Sequence, residues 1–194
     1  QILKNHFSGE QAAPAALFLA TIYKDKLKNE EASAAVYQLF PIAFPDHENA
    51  KKVQADYADE AAMDKKIMEM GKRLINDSTN RIDYRIANDF MGLSEIHAML
   101  LPKDSQSPDY LYKAAETAAA MSNYKRAIEY YDWIMQNYPD HKRAAQSLFL
   151  KAFTYDNYMK KPNEARPLYE TFLDSDSPEM TPPPRPKKEP DFEV

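Results

Sequence analysis

The stretch "NYPDHKRAAQSLFLKAFTY", residues 137–155, decides the reading, because its Tyr138-Pro139-Asp140-His141 repeats the Phe44-Pro45-Asp46-His47 found 94 positions earlier. A phrase written twice calls for a search for internal repeats, since a period of about 34 to 47 residues implies an array of small units. Laying the first stretch on the last places Ala20, Tyr23, Tyr37 and Phe40 on Ala152, Tyr155, Tyr169 and Phe172, every pair at an offset of 132. A middle copy, residues 107–141, supplies Ala115, Ala127, Tyr131, Ile134 and Pro139 for the slots of Ala20, Ser33, Tyr37, Phe40 and Pro45, with one residue fewer between its helices.

Each copy reads as two helices. The small residue of the first (Ala20, Ala115, Ala152) and the one opening the second (Ser33, Ala127, Ala165) stand where two helical backbones would touch. An aromatic four residues on and a bulky apolar residue three beyond it share one face of a 3.6-residue period. Pro45 and Pro139 cannot donate the next helical hydrogen bond and disfavour helix in the residue before them, so the chain turns. Asp46 and Asp140 suit the loop and the next helix start. The duplicated phrase is punctuation between helical hairpins. Two further prolines disturb the pattern: Pro41 predicts an end or kink late in the first copy's second helix, and Pro167 falls in the opening turns of the last.

Composition agrees with helices. The 194 residues include only three glycines, Gly9, Gly71 and Gly92, so few positions are suited to tight hairpins. A net charge of −5 with interspersed signs offers no basic stripe for phosphates, which argues against nucleic acid as the main partner. The lack of cysteine removes disulfide scaffolds, thiol nucleophiles and Cys-type zinc sites. No run approaches the roughly 18 to 20 apolar residues of a membrane span, and none reads as a signal peptide. The chain opens on Gln1, not methionine, which allows a processed, exported protein.

The small-residue, aromatic and proline spacing resembles the tetratricopeptide repeat, over about 105 of the 194 residues in three copies. More narrowly, residues 110–173 are similar to repeat-containing cell-envelope lipoproteins and periplasmic proteins of Bacteroidetes-type bacteria. The family's tryptophan near the repeat start is absent, since Trp133 falls in a second helix. The resemblance implies an exported adaptor of the bacterial periplasm or outer membrane without catalytic residues, whose partner is a protein or peptide in a membrane-associated complex. It also implies a concave face lined by first helices, whose outward positions here are Leu17, Thr21, Lys24, Tyr112, Glu116, Phe149, Phe153 and Asn157. Tyr112, Phe149 and Phe153 suggest an apolar or aromatic contact, and a register shifted by one would make the same residues core. The Lys/Asn/Lys/Arg clamp that some relatives close on a peptide's carboxylate is not reproduced.

Residues 48–106 are too long for a loop and read as a degenerate, longer helical pair. Met63, Ile67, Met70 and Leu74 form one stripe, with Lys65, Lys66, Glu69, Lys72 and Arg73 turned outward. "NDSTN" at 76–80 breaks the helix, and Ile82, Ile86, Phe90, Leu93 and Leu100 continue a second stripe until Pro102.

Catalytic constellations are not found: there is no Gly-rich phosphate loop, nucleophile elbow or His-Glu-x-x-His helix. His6, His47, His97 and His141 never pair at helical spacing, and His47 and His141 occupy equivalent turns, so structural roles fit them better than metal ligation. Neither metal nor cofactor is expected. The carboxylate pairs Glu30/Glu31 and Asp174/Asp176 sit at loops or helix ends, and the methionines 63, 68, 70, 91 and 99 suit core filling. Residues 178–194 carry six prolines and read as an extended tail, with Pro183, Pro186 and Lys188 fitting a PxxPx+ pattern. With no polar capping helix after Phe172 and Leu173, that end is a candidate docking surface.

The fold expected is an all-α solenoid of about four antiparallel helix pairs, one degenerate: 1–47, 48–106 and two pairs in 107–177, then the tail 178–194. The function expected is a non-enzymatic scaffold of a bacterial cell-envelope complex in outer-membrane assembly, secretion or division. The alternative is a ligand- or glycan-binding accessory lipoprotein for nutrient uptake.

Overall fold

The computed structural model of the protein describes residues 9–57, 60–76 and 81–174, without the side chains of 54–57 and 60–62. The expected tail, with Pro183, Pro186 and Lys188, and His6 lie outside the described residues. Among the described residues there are nine α-helices: α1 (Ala12–Thr21), α2 (Glu30–Ala43), α3 (Ala50–Tyr57), α4 (Glu60–Lys72), α5 (Tyr84–Leu100), α6 (Ser107–Ala120), α7 (Tyr124–Asn137), α8 (Lys142–Phe153) and α9 (Pro162–Asp174). They pack as hairpins α1/α2, α4/α5, α6/α7 and α8/α9, and α2 meets α5, α5 meets α6 and α7 meets α8 to join one hairpin to the next. This is the expected all-α solenoid of helix pairs. Between α4 and α5 lies an unexpected two-residue ladder, β1 (Ile75–Asn76) antiparallel to β2 (Arg81–Ile82), with Ile75 opposite Ile82.

The small residues sit where backbones meet. Ala20, Ala115, Ala127 and Ala152 have no exposed surface, and Ser33 and Ala165 have almost none. A methyl group lets facing helices approach closely, and that approach brings Phe40, Tyr131 and Ile134 into the same buried layer. The stripes of the longer pair hold too: Met63, Ile67 and Leu74 of the first and Ile86, Phe90, Leu93 and Leu100 of the second are buried.

The inter-hairpin turn occurs three times, not twice. After α2, α5 and α7, the amides of Phe44, Leu101 and Tyr138 donate to Phe40 O, His97 O and Ile134 O at 2.9, 2.7 and 2.9 Å. These three residues share one conformation, φ/ψ of −134/62°, −122/60° and −133/51°. Three residues on, the amides of His47, Asp104 and His141 donate back to them, and Ala50, Ser107 and Ala144 repeat the step. Finally His47 Nδ1, Asp104 Oδ1 and His141 Nδ1 accept from the amide two residues ahead, at 3.2, 2.7 and 3.3 Å. An imidazole and a carboxylate thus do the same work, satisfying an amide that a starting helix leaves unpaired. That acceptor role fixes both histidines in structure and needs Nδ1 unprotonated.

The turn inside each hairpin explains the extra residue of the first and last copies. Lys28, Ser122 and Lys160 adopt φ of 52, 60 and 56°, and the next amide reaches back to Tyr23 O, Ala118 O and Tyr155 O. In the middle copy Met121 N bonds to Thr117 O four residues back, whereas Leu27 N and Met159 N bond to Ile22 O and Thr154 O five back. The additional residue is absorbed as a π-helical turn, Ile22–Lys26 after α1 and Thr154–Tyr158 after α8. Asn29 and Asn123 then cap α2 and α7 by accepting from Ala32 N and Arg126 N at 2.9 and 3.3 Å.

Neither disruptive proline ends its helix. α2 runs past buried Pro41 to Ala43, and α9 runs from Pro162 through Pro167 to Asp174. Packing of α2 against α1, α3 and α5 outweighs the single backbone bond a proline removes.

Candidate interaction surface

Of the eight first-helix positions, Thr21 and Lys24 are exposed and Leu17, Glu116, Phe149 and Asn157 are half-buried. Tyr112 and Phe153 are each only 7% exposed, which corrects the expectation that they point outward. Tyr112 is roofed by the Arg143 guanidinium, 4.2 Å from its ring centre. Phe153 is held between Phe149 and Tyr158, at 6.4 and 5.7 Å between ring centres. Phe149 turns towards α9, 5.3 Å from Phe172 and 6.0 Å from Tyr169. The three aromatics therefore form no common patch. Phe149 and Phe153 belong to a chain of rings that runs from Phe172 through Tyr158 to Tyr124, which stacks on Tyr158 at 4.8 Å.

What the first helices do present is polar. α6 and α8 touch directly, and Arg143 of α8 spans them, pairing with Asp109 and donating to Gln146 Oε1 at 2.7 Å. Lys113 and Glu116 pair beside them at 3.3 Å. Burial raises the Tyr112 pKa, helped by Glu116 and opposed by Arg143. A second cluster centres on half-buried Glu95 of α5, which accepts from Arg126 at 3.0 Å and from the Tyr130 hydroxyl, both of α7. Tyr23, after α1, faces the same carboxylate: its pKa is raised first by burial and then by Glu95. Charged side chains thus cross-link consecutive repeats.

One arrangement resembles a hydrolytic site and is not one. His97 Nδ1 lies 3.1 Å from Ser107 Oγ, and its Nε2 lies 3.4 Å from Asp64 Oδ1. Ser107 and His97 have no exposed surface, and the Ser107 hydroxyl donates to Leu101 O at 2.8 Å, so its proton is committed to a turn carbonyl. Asp64 accepts from the Tyr110 hydroxyl at 2.7 Å, and the Tyr110 ring stands edge-on to His97. His97 occupies the slot of Phe40 and Ile134 in the neighbouring repeats, and ties α4, α5 and α6 together. Its place on the apolar stripe was legible in the sequence; its partners were not, because Asp64 lies 33 positions away.

At the far end, Phe172 is half-buried while Leu173 is 78% exposed. The slot filled by buried Leu39, Ile96 and Trp133 in the earlier second helices is Thr171 in α9, and it is exposed. The outer side of α9 is therefore largely polar, with Arg166 and Glu170 paired at 2.9 Å, and the apolar end expected there reduces to Leu173. Glu30 and Glu31 lie in the first turn of α2, where a carboxylate suits the helix dipole. Among the described residues no group of three or more His, Asp or Glu side chains is placed to hold a metal ion, and no helix is long and apolar enough to cross a membrane.

No curated protein and no solved structure matches the chain. Residues 109–141 match the family described as tetratricopeptide repeat. The match runs from Asp109 in α6 through α7 to the turn ending at His141, the copy of the three whose inner turn is not π-helical, and the stack around it is an all-α solenoid like that of tetratricopeptide repeats.

Proposed function

We propose that this chain is a non-enzymatic scaffold that holds a protein or peptide partner along its first-helix face. The observation that carries this reading is the direct contact of α6 with α8, bridged by Asp109 and Arg143, which makes adjacent first helices one continuous surface of fixed spacing. Polar side chains that stay accessible on the first helices and the turns after them, Glu116 and Asn157 on the α6/α8 side and Thr21 and Lys24 at the end of α1, offer hydrogen bonds and charges of both signs. A partner recognised there is bound by polar matching around a few apolar anchors such as Leu17, not by an aromatic patch.

We further propose that the partner belongs to a membrane-associated complex of a bacterial envelope, in outer-membrane assembly, secretion or division, which is what the resemblance noted for residues 110–173 would imply. Photocrosslinking in cells tests both parts. Probes at Lys24, Glu116 and Asn157 are expected to capture one common envelope protein, with a probe at Glu129, exposed on α7, giving none of it. Capture by Glu129 alone, or of unrelated cytoplasmic proteins by each probe, would overturn the reading.

A further inference from the structure

We propose that the outer stripe of α9 pairs, antiparallel, with the same stripe of a second copy of this chain. Pro162, Arg166, Tyr169 and Leu173 follow one another at steps of four, three and four residues, the spacing by which one helix presents a seam to another. All four border a groove of about 410 Å³ beside α9. The opposite side of α9 packs on α8 and on the π turn Thr154–Tyr158, while Pro162, Arg166 and Leu173 stay exposed and Tyr169 is half-buried.

Reversed, the seam is its own complement. In an antiparallel pair Leu173 meets Pro162 of the second copy and Tyr169 meets its Arg166, and the two-fold axis repeats both contacts. The first is apolar on apolar; the second lays a guanidinium on a half-buried ring. Glu170, next to Tyr169, and Asp156, which faces that ring from the π turn, flank the arriving guanidinium with carboxylates. Within one chain Arg166 and Glu170 already pair at 2.9 Å, but with both side chains exposed that contact contributes little alone. Across the axis the same residues become four charges of alternating sign. A parallel pair would set Arg166 on Arg166 and Glu170 on Glu170, so the charges select direction as well as partner. The seam rises about 16 Å, and two helices of that length cover less than the roughly 1,200 Å² of a stable interface, so the dimer is weak and concentration-dependent. This interface lies on a second helix, goes beyond the scaffold reading and does not rest on it.

Sedimentation velocity of the full chain over a wide concentration range is expected to show a monomer that converts to a dimer. Arg166→Glu and Glu170→Arg each place like charges across the axis, and each is expected to weaken the dimer about tenfold or more. Mixed in equal amounts, the two variants should recover most of it, because one carries two acids and the other two bases at these positions. Recovery on mixing cannot come from a variant that has merely lost its fold, and circular dichroism of each alone checks that α9 persists. A monomer at every concentration would overturn the proposal and leave the groove to a different occupant. A dimer that neither reversal weakens, or variants that fail to associate when mixed, would overturn it as well.

Discussion

Ala115 and Ala152 have no exposed surface, so a leucine at either would drive an isobutyl group into the helix packed opposite. Each substitution is expected to cost about 1–3 kcal/mol, read from urea unfolding midpoints, because the backbones must separate to admit it. His97 makes a second argument at this scale. Burial pushes its pKa down, against the opposing pull of Asp64 and Asp104, so the folded chain keeps it neutral where the unfolded chain would bind a proton. Stability is then expected to fall as the pH drops through about 6.5, the unfolded value. In His97→Phe, which copies Phe40 at the equivalent slot, that part of the acid loss should disappear from melts recorded between pH 7.5 and 5, roughly. Undiminished loss in the variant would show that other groups carry it. The small residues were legible because side-chain size and period survive in sequence, while the contacts of His97 depend on Asp64 from a different helix.

At the level of the element, the π turns at Ile22–Lys26 and Thr154–Tyr158 separate length from register. Deleting Asp25, exposed in the first of them, should convert that turn to the form found after α6. Circular dichroism of the deletion is expected to match the parent, with a melting temperature changed by no more than a few degrees. Deleting Met121 instead should lower it strongly, because no extra residue is present there to give up. Asn123→Ala removes the acceptor for Arg126 N and is expected to cost about 1 kcal/mol in chemical denaturation. The one-residue difference between copies was visible in the sequence, but its π form was not, since no side-chain pattern distinguishes a wider turn. Leu101-Pro102-Lys103-Asp104 escaped as a third copy of the turn because only its proline matches, although the hydrogen bonds are the same. The ladder of Ile75–Asn76 with Arg81–Ile82 was too short to leave an alternation.

For the whole molecule, stacking without long-range closure means that each hairpin draws its stability from its neighbours. Among the described residues α1 and α9 have a packed hairpin on one side only, so their amides should exchange with deuterium first and those of α5, α6 and α7 last. Simultaneous exchange across all hairpins would contradict a neighbour-coupled stack. At this scale the sequence was most informative about architecture and least about the interaction face, because Arg143 folds over Tyr112 from the next repeat and hides a residue that its own helix turns outward.

The turns after α2, α5 and α7 join their hairpins through main-chain bonds and one acceptor that histidine or aspartate can supply. Such a joint is indifferent to most of what it connects. Copying the stretch that ends at His141 and splicing it in tandem should therefore lengthen the rod without redesign, so growth by duplication is open to this lineage at every seam.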